Sequence, residues 1–227
     1  MGQLTEFFMK SPGGPPPNMC FAMPMMKDWV PRWIQPWLYV LTALCFQFGG
    51  GYYLGALEVI RGTTNFMIED VMFLLYASLA GMAVYFPMLF RMKFRFTNKQ
   101  LLCASAIVLG ICNIVTMYSQ SMPVLVVACF IAGMAKIQGT FECMSNIQLW
   151  ITPRRDFSVF FPVLHIILLT AIEGSGWLAA WFGHHFTWQM MHVFTVGTMS
   201  LTLLIQLVCC RPFCPMPHRL SLKGMDF

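Results

Sequence analysis

Long apolar runs separated by short polar breaks dominate this chain. Six of them are predicted as membrane spans: Trp33–Leu57, Ile68–Phe90, Gln100–Tyr118, Pro123–Trp150, Ser158–Phe182 and Trp188–Cys210. A bilayer core about 30 Å thick needs roughly 20 helical residues to cross it, so each run is long enough. None shows period-2 alternation, and each is too long for a barrel strand. Helices are then the one way to satisfy the backbone in lipid. The expected fold is an all-α polytopic membrane protein of six transmembrane helices.

Local signals refine the boundaries. Ser-Pro-Gly-Gly-Pro-Pro-Pro at 11–17 cannot continue a helix, so 1–32 is expected to be an extended tail, and it lacks the apolar core of a signal peptide. Trp29, Trp33 and Trp37 recur every fourth residue and are expected to anchor the first helix at headgroup level. Gly49-Gly50-Gly51 and Gly55 predict a close approach or a bend in span one. Glu69 and Asp70 suit a helix N-terminus, Pro87 predicts a kink or an early end, and Pro123 suits a helix start. Ser119–Met122 makes a very short turn between spans three and four. Glu173-Gly174-Ser175-Gly176-Trp177 is expected to close span five.

Composition agrees with the pattern. Of 227 residues, 58% are hydrophobic and 10% charged, outside the usual balance of a soluble domain. The net charge of +5 has its meaning in placement. Lys10, Lys27 and Arg32, then Arg91, Lys93, Arg95 and Lys99, then Arg154 and Arg155, then Arg211, Arg219 and Lys223 all fall on one side of the expected topology. The other side receives Arg61 with Glu58, Glu69 and Asp70. The positive-inside rule puts both termini in the cytoplasm, and nucleic acid is not needed to explain the charge. Nine cysteines imply no disulfide framework and fit no standard zinc spacing. Cys209, Cys210 and Cys214 are read as packing residues, with reversible acylation the alternative.

The candidate chemistry lies in the spans. Lys136 and Glu142 interrupt span four, and His165 and Glu173 interrupt span five. Charge near the middle of a bilayer normally faces a water-filled path or a partner. At 1.5 Å per residue, Lys136 and Glu173 lie about 21 and 22 Å from the cytoplasmic side, and Glu142 and His165 about 12 and 10 Å. Depth alone thus pairs Lys136 with Glu173 and Glu142 with His165. These four residues form the candidate proton and substrate path. No catalytic residue, metal or cofactor is expected: His184 and His185 lack a third ligand, and His165 and His192 do not make a haem site. Gly174-Ser175-Gly176 with His192 leaves an intramembrane serine protease as the less favoured alternative.

This layout resembles the N-terminal half of a major facilitator superfamily transporter, in the fourteen-helix drug:proton antiporter group. Arg95 and Lys99 match basic positions of that family's G-x-x-x-D-R-x-G-R-[RK] loop. Gln138 and Gly139 match the end of its R-x-x-Q-G motif, with Ala135 at the arginine position and Lys136 one residue later. Gly176 matches G-P-x-x-G-G, and Gly176-Trp177-Leu178 followed by Phe186-Thr187-Trp188-Gln189 is similar to the run joining helices five and six. The resemblance implies secondary transport of a small amphipathic substrate, coupled to protons, across a lipid bilayer. It also implies a second transporter half or a homodimer as partner, with 211–227 a cytoplasmic linker to the missing half. A non-transporting six-helix assembly protein or truncated remnant is the alternative outcome.

Overall fold

The computed structural model describes residues 26–27, 29–31, 34–48, 66–151 and 157–211. Among them the chain forms helices joined by short turns, with one isolated bridge between Met26 and Cys210. The helices are α1 (Gln35–Gln47), α2 (Ile68–Tyr85), α3 (Leu89–Arg95), α4 (Asn98–Tyr118), α5 (Met122–Ile151), α6 (Phe157–His185) and α7 (Met190–Cys209). Five stretches are long and apolar enough to cross a membrane: Ile68–Met88, Asn98–Tyr118, Met122–Ile147, His165–His185 and Met190–Cys209. These correspond to spans two to six. Of span one the structure describes α1 and Phe48, and the remainder, with Gly49-Gly50-Gly51 and Gly55, lies outside the described residues. The anchoring Trp33 and the tail 1–25 also lie outside.

Local chemistry explains most boundaries. Asp70 accepts a hydrogen bond from the Met67 backbone N–H at 2.9 Å, and with Glu69 it puts two acids in the first turn of α2. Pro87 ends α2 as expected: the chain tightens into a 3-10 turn over Phe86–Met88 before resuming as α3. A capping box starts α4, in which the Gln100 N–H donates to Thr97 Oγ1 at 3.3 Å and the Thr97 N–H donates to Gln100 Oε1 at 3.0 Å. Three residues separate α4 from α5, and Pro123 sits in the first turn of α5. One expectation needs correction. Span five does not close at Glu173–Trp177, because α6 runs unbroken to His185. Within an apolar span the backbone keeps its hydrogen bonds inside the helix, so Gly174 and Gly176 do not end it.

The helices run up and down. Phe48 and Thr195, Gln47 and Thr140, Thr116 and His192, and Gln138 and Leu101 mark antiparallel neighbours in α1–α7, α1–α5, α4–α7 and α4–α5. By contrast, α2 and α5 run parallel and touch backbone to backbone. A Cβ at Gly81 would strike the Phe130 carbonyl, and one at Gly133 would strike the Ser78 carbonyl. Since Cα–Cβ bonds tilt toward the helix N-terminus, each missing methyl points at the facing carbonyl one turn back. One core gathers Tyr39, Phe46, Leu102, Leu109, Cys143, Ile147 and Met199. A second gathers Val71, Leu74, Leu125, Cys129, Ala179 and Met191 toward the other end.

The bundle ends differ in charge. Lys27, Arg91, Arg95, Lys99 and Arg211 gather at one end, and Glu69 and Asp70 at the other. At the basic end the Lys27 N–H donates to the Cys209 carbonyl at 2.7 Å. The Lys27 and Lys99 ammonium groups reach the Leu207 carbonyl at 3.5 and 3.4 Å. Two cations thus sit on the otherwise unpaired carbonyls that close α7.

Candidate functional site

Helix α5 supplies the centre of the site, because it packs against α1, α2 and α4. Lys136 is only 8% exposed and Glu142 only 1%. Glu142 lies within electrostatic range of the Tyr39 hydroxyl on α1 and the Tyr85 hydroxyl on α2. Tyr39 is itself fully buried and receives the Cys210 thiol at 3.8 Å. Asn146 stands one turn beyond Glu142 and is fully buried. Among the described residues neither atom of its amide finds a hydrogen-bond partner, and the same holds for the buried Gln206 on α7. Buried amides without partners are costly, so this layer is polar at the expense of stability. Among the described residues, no carboxylate offsets the burial of Lys136.

One of the expected site residues, Glu173, lies elsewhere. Glu173 is exposed on α6 while Lys136 is buried in the bundle, so the depth-matched pair is not formed. Matching depth is necessary for contact, but rotation about the α6 axis turns Glu173 outward. His165 is half-buried on α6. Glu142 is thus within electrostatic range of two buried tyrosines, and Glu173 stands on the exposed side of α6.

The motif-matching residues have structural partners. Arg95 is exposed at the end of α3. Lys99 reaches past its own loop to the Cys210 carbonyl at 3.2 Å. The Gln138 amide donates to the Leu101 carbonyl at 3.5 Å, a long bond. Gly139 leaves the space that the Phe46 ring fills, since a Cβ there would enter the ring. Gly176 is half-buried within α6.

The pieces of the protease alternative are engaged apart. The Ser175 hydroxyl donates to the Ile172 carbonyl at 2.6 Å, while His192 Nδ1 lies 3.1 Å from Asn113 Oδ1 and 3.2 Å from Thr116 Oγ1 on α4. His185 Nδ1 pairs with the Trp181 carbonyl at 3.0 Å and its ring stacks on that indole.

Tyr39, Tyr85, Asn146 and Gln206 were not singled out by the sequence pattern. For the two amides a signal existed, namely a polar side chain inside an apolar run. The tyrosines carried none, because interfacial anchoring explains tyrosine near a span end equally well.

Compared with known proteins, the sequence matches no family model and no curated protein. What the fold defines is a class: an all-α integral membrane protein whose central helix buries a lysine and a glutamate.

Proposed function

We propose that this chain is half of a secondary transporter that exports a small amphipathic molecule in exchange for protons. The observation that carries the reading is the burial of Glu142 and Lys136 on one central helix, beside Tyr39 and Tyr85 from two neighbouring helices. Ionisable groups kept inside a membrane bundle are expensive, and proton relays and substrate paths are their usual reason. Glu142 is the proton carrier in this reading. Lys136 is the second buried charge on that helix, and the two tyrosine hydroxyls lie within electrostatic range of the carboxyl. The motif matches at Gln138 and Gly139 agree with this reading, and they fall on the same helix.

The basic end faces the cytoplasm by the positive-inside rule, which places Lys27, Lys99 and Arg211 on that side. A six-span unit of this kind works against a second unit, whose rocking opens the path to either side in turn.

Ethidium accumulation in bacteria lacking their own efflux pumps tests the reading. Expression of the chain lowers accumulation. Glu142→Gln and Lys136→Met each restore it, while Glu69→Gln at the exposed acidic end does not. Equal accumulation with wild type and Glu142→Gln, both shown to be in the membrane, would overturn proton-coupled transport of ethidium-like substrates through this site.

A further inference from the structure

Glu173 is the one Asp, Glu, Lys or Arg in the sequence of α6, about 24 Å from its start at Phe157 and about 18 Å from its end at His185. It is exposed, and it stands in the centre of an outward stripe. Ile166 and Leu169, seven and four residues before it, are 63% and 60% exposed, and Trp177, four residues after it, is 71% exposed. Residues three, four and seven apart share one helix face, so the carboxylate sits on a face that is otherwise built for hydrocarbon. Beside it, a Cβ added at Gly174 would meet nothing within 4 Å. Among the described residues α6 packs mainly against α1 and α7, and its exposed stripe lies away from the buried positions Leu168, Ala171, Ser175 and Ala179.

A carboxylate at mid-depth against lipid tails is unfavourable, and such residues pair with an opposite charge or a hydrogen-bond donor. We infer that this face of α6 docks a separate transmembrane helix carrying a basic side chain at the depth of Glu173. Charge complementarity selects that occupant over a second copy of the chain. A two-fold contact through α6 would oppose Glu173 to itself. Among the described residues, every other cation of a second copy lies at the basic end of the bundle or, as Lys136, inside it. The inference takes from the transport reading only the need for a partner unit. It concerns association, so its failure is separable from any failure of flux.

The test uses the full chain, donor-labelled, in dioleoylphosphatidylcholine vesicles with acceptor-labelled leucine-rich transmembrane helices that carry Lys, Leu or Glu at the centre. Energy transfer to the central-Lys helix is expected at an at least tenfold lower helix-to-lipid ratio than to the central-Leu helix. Glu173→Gln removes that preference, and Glu69→Gln keeps it. Equal transfer to all three helices, or a Lys preference that survives Glu173→Gln, overturns the inference. Stronger transfer between two copies of the chain than to the Lys helix overturns it too, and gives the face to a homodimer.

Discussion

The Lys99 ammonium donates to the Cys210 carbonyl across 3.2 Å and so ties the first turn of α4 to the end of α7. Both Lys99 and Lys27 also reach the Leu207 carbonyl, so the terminus of one helix is held by two separate parts of the chain. A cation at a helix C-terminus contributes about 0.3–1 kcal/mol when partly exposed. Lys99→Gln should therefore lower the unfolding midpoint in detergent slightly, and Lys99→Arg should retain most of it. Because the two lysines share an acceptor, the loss in Lys27→Gln/Lys99→Gln should differ from the sum of the single losses.

The parallel crossing of α2 and α5 makes a sharper prediction. Gly81→Ala and Gly133→Ala each drive a methyl into a backbone carbonyl that cannot move alone, at a cost of about 1–3 kcal/mol. Gly174→Ala and Gly197→Ala meet open space and serve as controls. Thermal unfolding of the four variants should separate them into two groups. If all four unfold together, the crossing is not close.

At Gly139 the obstruction is a side chain, the Phe46 ring. Gly139→Ala should destabilise the protein, and adding Phe46→Leu should recover part of the loss by making room. A double-mutant cycle on unfolding free energies reads this directly, and purely additive losses would argue against the contact.

Burial of Lys136 with no offsetting carboxylate among the described residues gives stability and function opposite signs. Replacing a buried charge by an apolar side chain of similar length is often neutral or stabilising. Lys136→Met should therefore raise or hold the unfolding temperature while it abolishes lowered ethidium accumulation. A drop in both would mean that Lys136 holds the bundle together and carries no substrate path.

Adjacent thiols at the end of α7 should react unequally. Cys210 is 1% exposed and engaged with Tyr39, whereas Cys209 is half-buried. In single-cysteine variants, maleimide should label Cys209 at least about tenfold faster than Cys210, and any acylation should fall on Cys209.

Much of the architecture was legible because bilayer thickness fixes span length, and few residues can interrupt a span. Pro87, Pro123, Glu69 and Asp70 mark boundaries through local chemistry alone, and the structure places them at those boundaries. Rotation about a helix axis was not legible in spans that are apolar all round, because a polar face is what would reveal it. Glu173 is the case in point: its depth was readable and its direction was not. Lys99 is a second case, since its partners Leu207 and Cys210 are more than a hundred positions away in sequence. Asn146 and Gln206 were visible as polar letters in apolar runs, but their full burial depends on neighbours that only the assembled bundle supplies.

The bridge between Met26 and Cys210 sets the segment leading into α1 beside the end of α7. A unit that starts and finishes on one face can be repeated in tandem without inverting its second copy, and its covalent order can be cut and rejoined. A short linker from 210 to 26 would close the chain into a ring, and new ends could be opened in the three-residue turn at 119–121. Such a permuted chain would keep every helix pointing the way it points now.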